Sequence, residues 1–60
     1  MHNELITYDM LKASLNYAKI GFSDAYCEIT NTYRIGLIGL EDVFVFVFNE
    51  DGSFNTVEDR

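Results

Sequence analysis

Residues 43–48 read Val-Phe-Val-Phe-Val-Phe, with no polar residue among them. Successive side chains of a β-strand point to opposite faces, so the three valines share one face and the three phenylalanines share the other. A strand that is apolar on both faces is normally covered on both faces. The segment therefore predicts a strand that must be buried from two sides, and this requirement limits the folds open to the chain.

The first third of the chain has the spacing of an amphipathic helix. Its apolar residues recur three or four positions apart, at Tyr8, Leu11, Leu15, Ala18 and Phe22. This period places them on one helical face and predicts a helix over about residues 4–20. Asn3 or Thr7 is the expected N-cap, and Asn3 is favoured because it brings two more apolar residues into the helix. Gly21 is expected to end the helix in the left-handed conformation.

After Gly21 the hydrophobic period changes from 3.6 to two, which is typical of strands. In the first strand Ala25, Cys27 and Ile29 are expected to face the core, so that Tyr26 faces away from it. The whole pattern predicts a single α+β domain over residues 1–60, with one N-terminal amphipathic helix packed on a three- to four-stranded antiparallel β-meander. The expected strands cover about residues 24–30, 33–40, 43–48 and 53–57.

Turn residues separate the predicted strands. Asn31 is expected to adopt a positive φ between the first two strands, and Glu41 and Asp42 form the next turn. Residues 49–52 are expected to form a hairpin loop with Gly52 in the left-handed conformation. The last three residues, 58–60, are expected to fray.

One helix covers only one face of such a sheet. Bulky rings fill a helix–sheet core well, so the phenylalanine face is expected to meet the helix. Leaving the other face in water would sacrifice about 1.5–3 kcal/mol per side chain, a large loss for a domain stabilised by a few kcal/mol. The favoured interpretation is a two-fold homodimer that covers Val43, Val45 and Val47. The alternative is a curled sheet whose far face is closed by the chain's own terminal residues.

The chain carries ten Asp and Glu residues against four Lys and Arg, a net charge of −6. This balance disfavours binding to nucleic acid or to an anionic membrane, and no run of about 18 apolar residues predicts a membrane span. The start of the chain has no basic segment typical of a signal peptide, and a lone cysteine suits a reducing compartment, so a cytoplasmic protein is expected. The acidity is explained either by solubility or by a protein partner with a basic surface.

Two acidic pairs flank the third predicted strand, Glu41 with Asp42 and Glu50 with Asp51. The intervening strand separates them by about 20 Å, too far to share a metal ion or an acid–base reaction. They are either docking charges or solvated turn residues. Tyr26 is the expected exposed contact residue, because tyrosine is enriched at interfaces.

Residues suited to catalysis are scarce. His2 and Cys27 are the sole histidine and cysteine, Cys27 is expected to be a buried core thiol, and no phosphate-binding motif is present. We therefore expect a non-enzymatic, acidic protein-binding module without cofactor or metal, which docks on a larger protein as an inhibitor or adaptor. Its composition is typical of small phage or mobile-element proteins. The alternative is a structural or assembly subunit that forms a homo-oligomer through its sheet.

Overall fold

The computed structural model describes residues 6–60. Its elements are a helix α1 and four strands β1–β4, at Tyr8–Ala18, Phe22–Cys27, Thr32–Leu37, Phe44–Asn49 and Phe54–Asp59. The strands form one antiparallel sheet in the order β1-β2-β3-β4. The predicted α+β fold, with an N-terminal helix and a β-meander, is confirmed.

The helix begins at Tyr8, later than the predicted residue 4. Thr7 is its N-cap, because the Thr7 hydroxyl accepts a 3.2 Å hydrogen bond from the Met10 backbone N–H. Asn3, the favoured cap in the prediction, lies outside the described residues. The Tyr8 N–H donates to the Gly52 carbonyl at 2.8 Å, so the start of α1 is tied to the loop between β3 and β4.

The helix also ends earlier than predicted. Lys19, and not Gly21, takes the left-handed conformation, with φ 61°. The Lys19 N–H donates to Asn16 O at 3.1 Å and the Ile20 N–H to Leu15 O at 2.9 Å, the paired bonds of a Schellman cap. This early stop lets β1 begin at Phe22, whose side chain packs against the core.

The core lies between α1 and one face of the sheet. Leu11 and Leu15 of the helix pack against Ile35 and Phe48, and the last two are fully buried. Partly buried side chains complete the cluster: Ile6, Tyr8, Phe22, Tyr33, Leu37, Phe46 and Phe54. The expectation that the phenylalanine face of the third strand meets the helix is therefore confirmed.

The predicted core-facing side of β1 is wrong. Residues directly opposite each other across β1 and β2 include Phe22 with Leu37, Asp24 with Ile35, and Tyr26 with Tyr33. Opposite residues share a face, so alternate residues of β1 from Phe22 onward lie on the helix side. Ala25 and Cys27 lie on the other face, and Ile29 is 92% exposed beyond the strand end. The physical reason is Phe22, which lies outside the predicted strand and fixes its face by entering the core.

The β2–β3 connection starts earlier than predicted. The Leu40 N–H donates to Leu37 O at 2.9 Å, and Gly39 adopts φ 91°, so β2 ends at Leu37 instead of residue 40. Val43 belongs to this connection, because β3 begins at Phe44. The predicted positive φ is confirmed at both other turns, where Asn31 has φ 56° and Gly52 has φ 93°.

The C-terminal strand is longer than predicted. β4 runs to Asp59, and the Arg60 N–H donates to Val43 O at 3.0 Å. The expected fraying of residues 58–60 is therefore wrong, because these residues continue the hydrogen-bonded ladder with β3 instead of ending in solvent.

Candidate functional site

The second face of the sheet, away from the helix, is closed by an ion pair. Arg34 lies opposite Val47 and Glu58 lies opposite Val45 in the strand register. The Arg34 Nη1 donates to the Glu58 Oε1 at 2.6 Å. This Arg34–Glu58 bridge joins β2 to β4, so it passes over β3, which lies between them. Val45 and Val47 beneath it are only 6% and 4% exposed.

Further side chains extend this cover. The Arg60 Nη1 lies 3.2 Å from the Glu58 Oε1, and the Arg60 Nε donates to the Glu41 carbonyl at 3.4 Å. The prediction that Val45 and Val47 need a second molecule to cover them is therefore wrong, because charged side chains of the same chain lie over them. The alternative is right that the chain itself covers these two valines, but the cover includes Arg34 of β2 as well as the C-terminal residues Glu58 and Arg60. Val43 lies outside the strand and is 57% exposed.

A shallow groove lies beside this bridge, next to β1. Its volume is about 220 Å³, below the ~300 Å³ at which typical small-molecule pockets begin. It is lined by Ser23, Asp24, Ala25, Arg34, Gly36, Glu41, Val45 and Arg60. Among the described residues, the buried Arg34 Nε has no hydrogen-bond partner. The groove is therefore a small, partly charged depression on the second face.

The connection between β2 and β3, residues 38–43, forms an ordered and partly apolar surface that we call the 38–43 loop. Its three large apolar side chains are well exposed: Ile38 at 62%, Leu40 at 42% and Val43 at 57%. The Val43 N–H donates to Leu40 O at 2.9 Å, and the Gly39 N–H donates to the Glu41 Oε1 at 2.9 Å. The loop thus holds apolar side chains at the surface by internal hydrogen bonds.

In each predicted acidic pair, one residue accepts hydrogen bonds within its own loop and the other is exposed to solvent. Glu41 binds the Gly39 amide within its own loop, as described above. Asp51 accepts hydrogen bonds from the Ser53 hydroxyl at 2.6 Å and the Ser53 N–H at 2.9 Å, and these bonds lower the pKa of Asp51. Asp42 and Glu50 are exposed, at opposite ends of β3. They are therefore the members of each pair best placed to meet a partner.

The sequence predicted that Tyr26 faces away from the core, but in the structure it lies on the helix side of the sheet. Its ring centroid lies 4.8 Å from that of Tyr33, which lies 4.4 Å from that of Tyr8 on the helix. The Tyr26 hydroxyl donates to the Asn31 Oδ1 at 3.1 Å. Tyr26 belongs to the helix side because it alternates with Phe22, but it stays 39% exposed at the edge of the sheet.

A polar cluster that was not predicted from the sequence joins the helix to β1. The Tyr8 hydroxyl donates to the Asp24 Oδ2 at 2.7 Å, and the Lys12 Nζ lies 3.0 Å from the same oxygen. The hydrogen bonds from Tyr8 and then Lys12 lower the pKa of Asp24. The helical spacing of Tyr8 and Lys12, four residues apart, was the available signal. The cluster neutralises Asp24, the sole carboxylate of β1.

The remaining surface is strongly acidic. Across residues 6–60 the ion pairs are Lys12 with Asp24, and Arg34 and Arg60 with Glu58. Three of the four Lys and Arg side chains are therefore already engaged. The exposed carboxylates without an ion pair in this part of the chain are Asp9, Glu28, Asp42, Glu50, Asp51 and Asp59.

Residues suited to metal or thiol chemistry are dispersed. Within residues 6–60 no three His, Cys, Asp or Glu side chains are grouped to hold a metal ion, and His2 lies outside this range. Cys27 is half-buried and not in the core, and Thr30 beside its sulfur lowers the pKa of the thiol. In the same described range, no helix is long and apolar enough to cross a membrane.

Comparison with known proteins gives no relative. No protein family, curated protein or solved structure matches this chain.

Proposed function

We propose that this chain is a non-enzymatic, acidic protein-binding module, an inhibitor or adaptor that docks on the basic surface of a larger protein. The observation that supports it is the charge arrangement of the surface. Lys12, Arg34 and Arg60 are engaged by carboxylates of the same chain, whereas exposed acids at both ends of the sheet have no ion pair within the described residues. A partner's lysines and arginines would meet these acids without competition from within the chain.

The 38–43 loop is the surface best suited to this docking. Ile38, Leu40 and Val43 give it an apolar centre. Asp42 lies within the loop. Asp59 lies opposite Phe44 in the strand register, and Phe44 is the residue that directly follows the loop. Protein interfaces commonly combine an apolar centre with a polar rim, and a loop already ordered by hydrogen bonds loses little entropy on binding. The partner that fits is an apolar depression bordered by Lys and Arg side chains.

A matched pair of charge variants tests the role of this loop. Asp42→Asn with Asp59→Asn neutralises the rim of the 38–43 loop, and Glu28→Gln with Glu50→Gln removes the same charge at the other end of the sheet. The wild-type chain is used to capture a partner from extracts of the cells that produce it. Calorimetry on the purified partner then compares the three proteins between about 50 and 500 mM salt.

We expect a stoichiometric complex that weakens with salt and that the aspartate variant weakens several-fold, because each lost rim charge is worth about 0.2–1 kcal/mol. The glutamine variant should bind like wild type. Equal binding by all three proteins, or an affinity insensitive to salt, would contradict electrostatic docking by this loop. The phage-like origin, the cytoplasmic location and the absence of nucleic-acid binding stay predictions.

A second candidate function is a structural subunit that assembles into a homo-oligomer through its sheet. The observation that favours it is the row of exposed residues 23–26 along the outer strand β1. An assembly larger than two chains would have to use both outer strands, β1 and β4, and its growth with concentration in light scattering would favour this candidate over the docking module.

A further inference from the structure

Strand β1 has an open outer edge. Within residues 6–60 its sole neighbour in the sheet is β2. The Ile38 N–H donates to Gly21 O at 3.1 Å, and hydrogen-bonded pairs alternate along an antiparallel ladder. Ser23, Ala25 and Cys27 therefore direct their backbone groups toward β2. Those of Phe22, Asp24 and Tyr26 point away from the sheet.

The two edges of the sheet differ in how well they resist pairing with another strand. Edge strands are usually protected by charges, prolines or bulges. β4 carries Glu58 and Asp59, and its register with β3 is irregular at Val47 and Phe48. β1 has an unbroken six-pair register with β2 and no proline, and its one carboxylate is held by Lys12 and Tyr8. The open edge of β1 is therefore the less protected one.

We infer that β1 pairs antiparallel with β1 of a second copy of this chain, which joins two four-stranded sheets into one continuous sheet. The hydrogen bonds of such a pair must join outward-facing residues. A two-fold axis at Ala25 meets this condition by pairing Asp24 with Tyr26 of the second copy. It also keeps the two Asp24 carboxylates from lying directly opposite each other, which would be unfavourable. Ala25 then faces its own copy in a close, non-hydrogen-bonded pair, where a small side chain fits.

A second copy is the natural occupant because the edge complements itself. Under the two-fold axis, the outward N–H groups of one copy lie opposite the outward carbonyl groups of the other. In both copies the charge of Asp24 is already compensated by Lys12 of the same chain. This pairing is separate from the proposed docking and differs from it in salt dependence, because salt screens acidic docking but does not weaken backbone hydrogen bonding between strands. In the antiparallel dimer the two 38–43 loops lie at opposite ends of the joined strands, so both stay available to partners.

Cysteine pairing tests the axis directly. Ala25→Cys and, as the control, Thr56→Cys are each made in a Cys27→Ser background. Ala25 and Thr56 are both exposed, on the second face, and on the two opposite edge strands. We expect the Ala25→Cys protein to form a disulfide-linked dimer at least about tenfold faster, because a pre-formed pair holds its thiols at ~mM effective concentration. Equal rates for the two proteins would overturn the proposed axis.

Molar mass from light scattering, over about a hundredfold concentration range, tests the edge without cross-linking. We expect the mass of the wild-type chain to rise toward twice 6.9 kDa at high concentration and not to fall as salt is added, because salt screens the repulsion between two chains of net charge −6. Ala25→Lys should stay at one chain, because two lysines would face each other at the axis. Thr56→Lys should behave as wild type. Circular dichroism first checks that each variant is folded. The inference would be overturned if the wild-type mass stays at one chain at all concentrations, if the dimer persists in Ala25→Lys, or if it is lost in Thr56→Lys.

Discussion

The cover over the second face of the sheet predicts how Arg34 contributes to stability. Replacing Arg34 by Met keeps an apolar chain above the valines but removes the guanidinium. Replacing it by Ala removes both. The two variants lose the same ion pair and the same unpartnered Nε, so the difference between them isolates the apolar part of the side chain.

The magnitudes follow from burial. The Arg34 and Glu58 side chains are 28% and 40% exposed, so their ion pair contributes only about 0.2–1 kcal/mol. Removing the buried, unpartnered Nε relieves a cost of about 1–3 kcal/mol, so Arg34→Met should be as stable as wild type or slightly more stable. Beyond Cβ, Arg34→Ala lacks the methylene, the sulfur and the terminal methyl that Arg34→Met places over Val45 and Val47, counted here as about two methylene equivalents at ~0.8 kcal/mol each. Arg34→Ala should therefore be about 1.5 kcal/mol less stable than Arg34→Met.

Urea unfolding at one fixed, low protein concentration measures this difference without a contribution from dimers. With an m-value of about 1 kcal/mol per M for a chain of this size, the two midpoints should differ by roughly 1.5 M. The same two substitutions at Glu28, exposed in the β1–β2 turn, should differ much less. If Arg34→Met and Arg34→Ala unfold at the same midpoint, the apolar part of the side chain at position 34 does not cover the valines.

Three further predictions concern the helix cap, the polar cluster and a turn. Thr7→Ala should destabilise the fold by about 1 kcal/mol in urea unfolding, whereas Thr7→Ser should retain the cap and the stability. The pKa of Asp24 is lowered below its ordinary 3.8, so the stabilisation from the ionised Asp24 is present above that value and is lost as the pH falls through the folded pKa. Asp24→Asn should therefore flatten the loss of stability below about pH 4, measured as the urea midpoint against pH. Gly52 has φ 93°, so Gly52→Ala should lower the thermal midpoint by imposing about 1 kcal/mol or more of backbone strain.

Local patterns predicted most of the fold. The spacing of Leu11 and Leu15 identified the buried side of the helix, and alternation in residues 43–48 identified the strand and its phenylalanine face. Asn31 and Gly52 marked turns because few other residues adopt positive φ readily. These signals are local, so they can be read from a few neighbouring residues without knowing the rest of the structure.

The errors came from long-range contacts. In β1 the apolar residues Ala25, Cys27 and Ile29 suggested the wrong face. The core position belongs to Phe22, and the polar Asp24 is satisfied by Tyr8 of the helix, sixteen residues away in the sequence. The cover of Val45 and Val47 was missed for a similar reason. It depends on Arg34 meeting Glu58 across an intervening strand, a contact between residues 24 positions apart that no periodicity reveals.

The proposed dimer requires that the chain closes both faces of its own sheet and leaves the edge of β1 open to a second copy. Amide hydrogen exchange, followed residue by residue at low and high protein concentration, reports on this edge. The outward amides of Asp24 and Tyr26 should exchange quickly in dilute protein and become protected as the concentration rises, while those of Val57 and Asp59 on the opposite edge stay unchanged. Protection that does not depend on concentration at Asp24 and Tyr26, or that rises at Val57 and Asp59 instead, would show that the chain does not pair through the edge of β1.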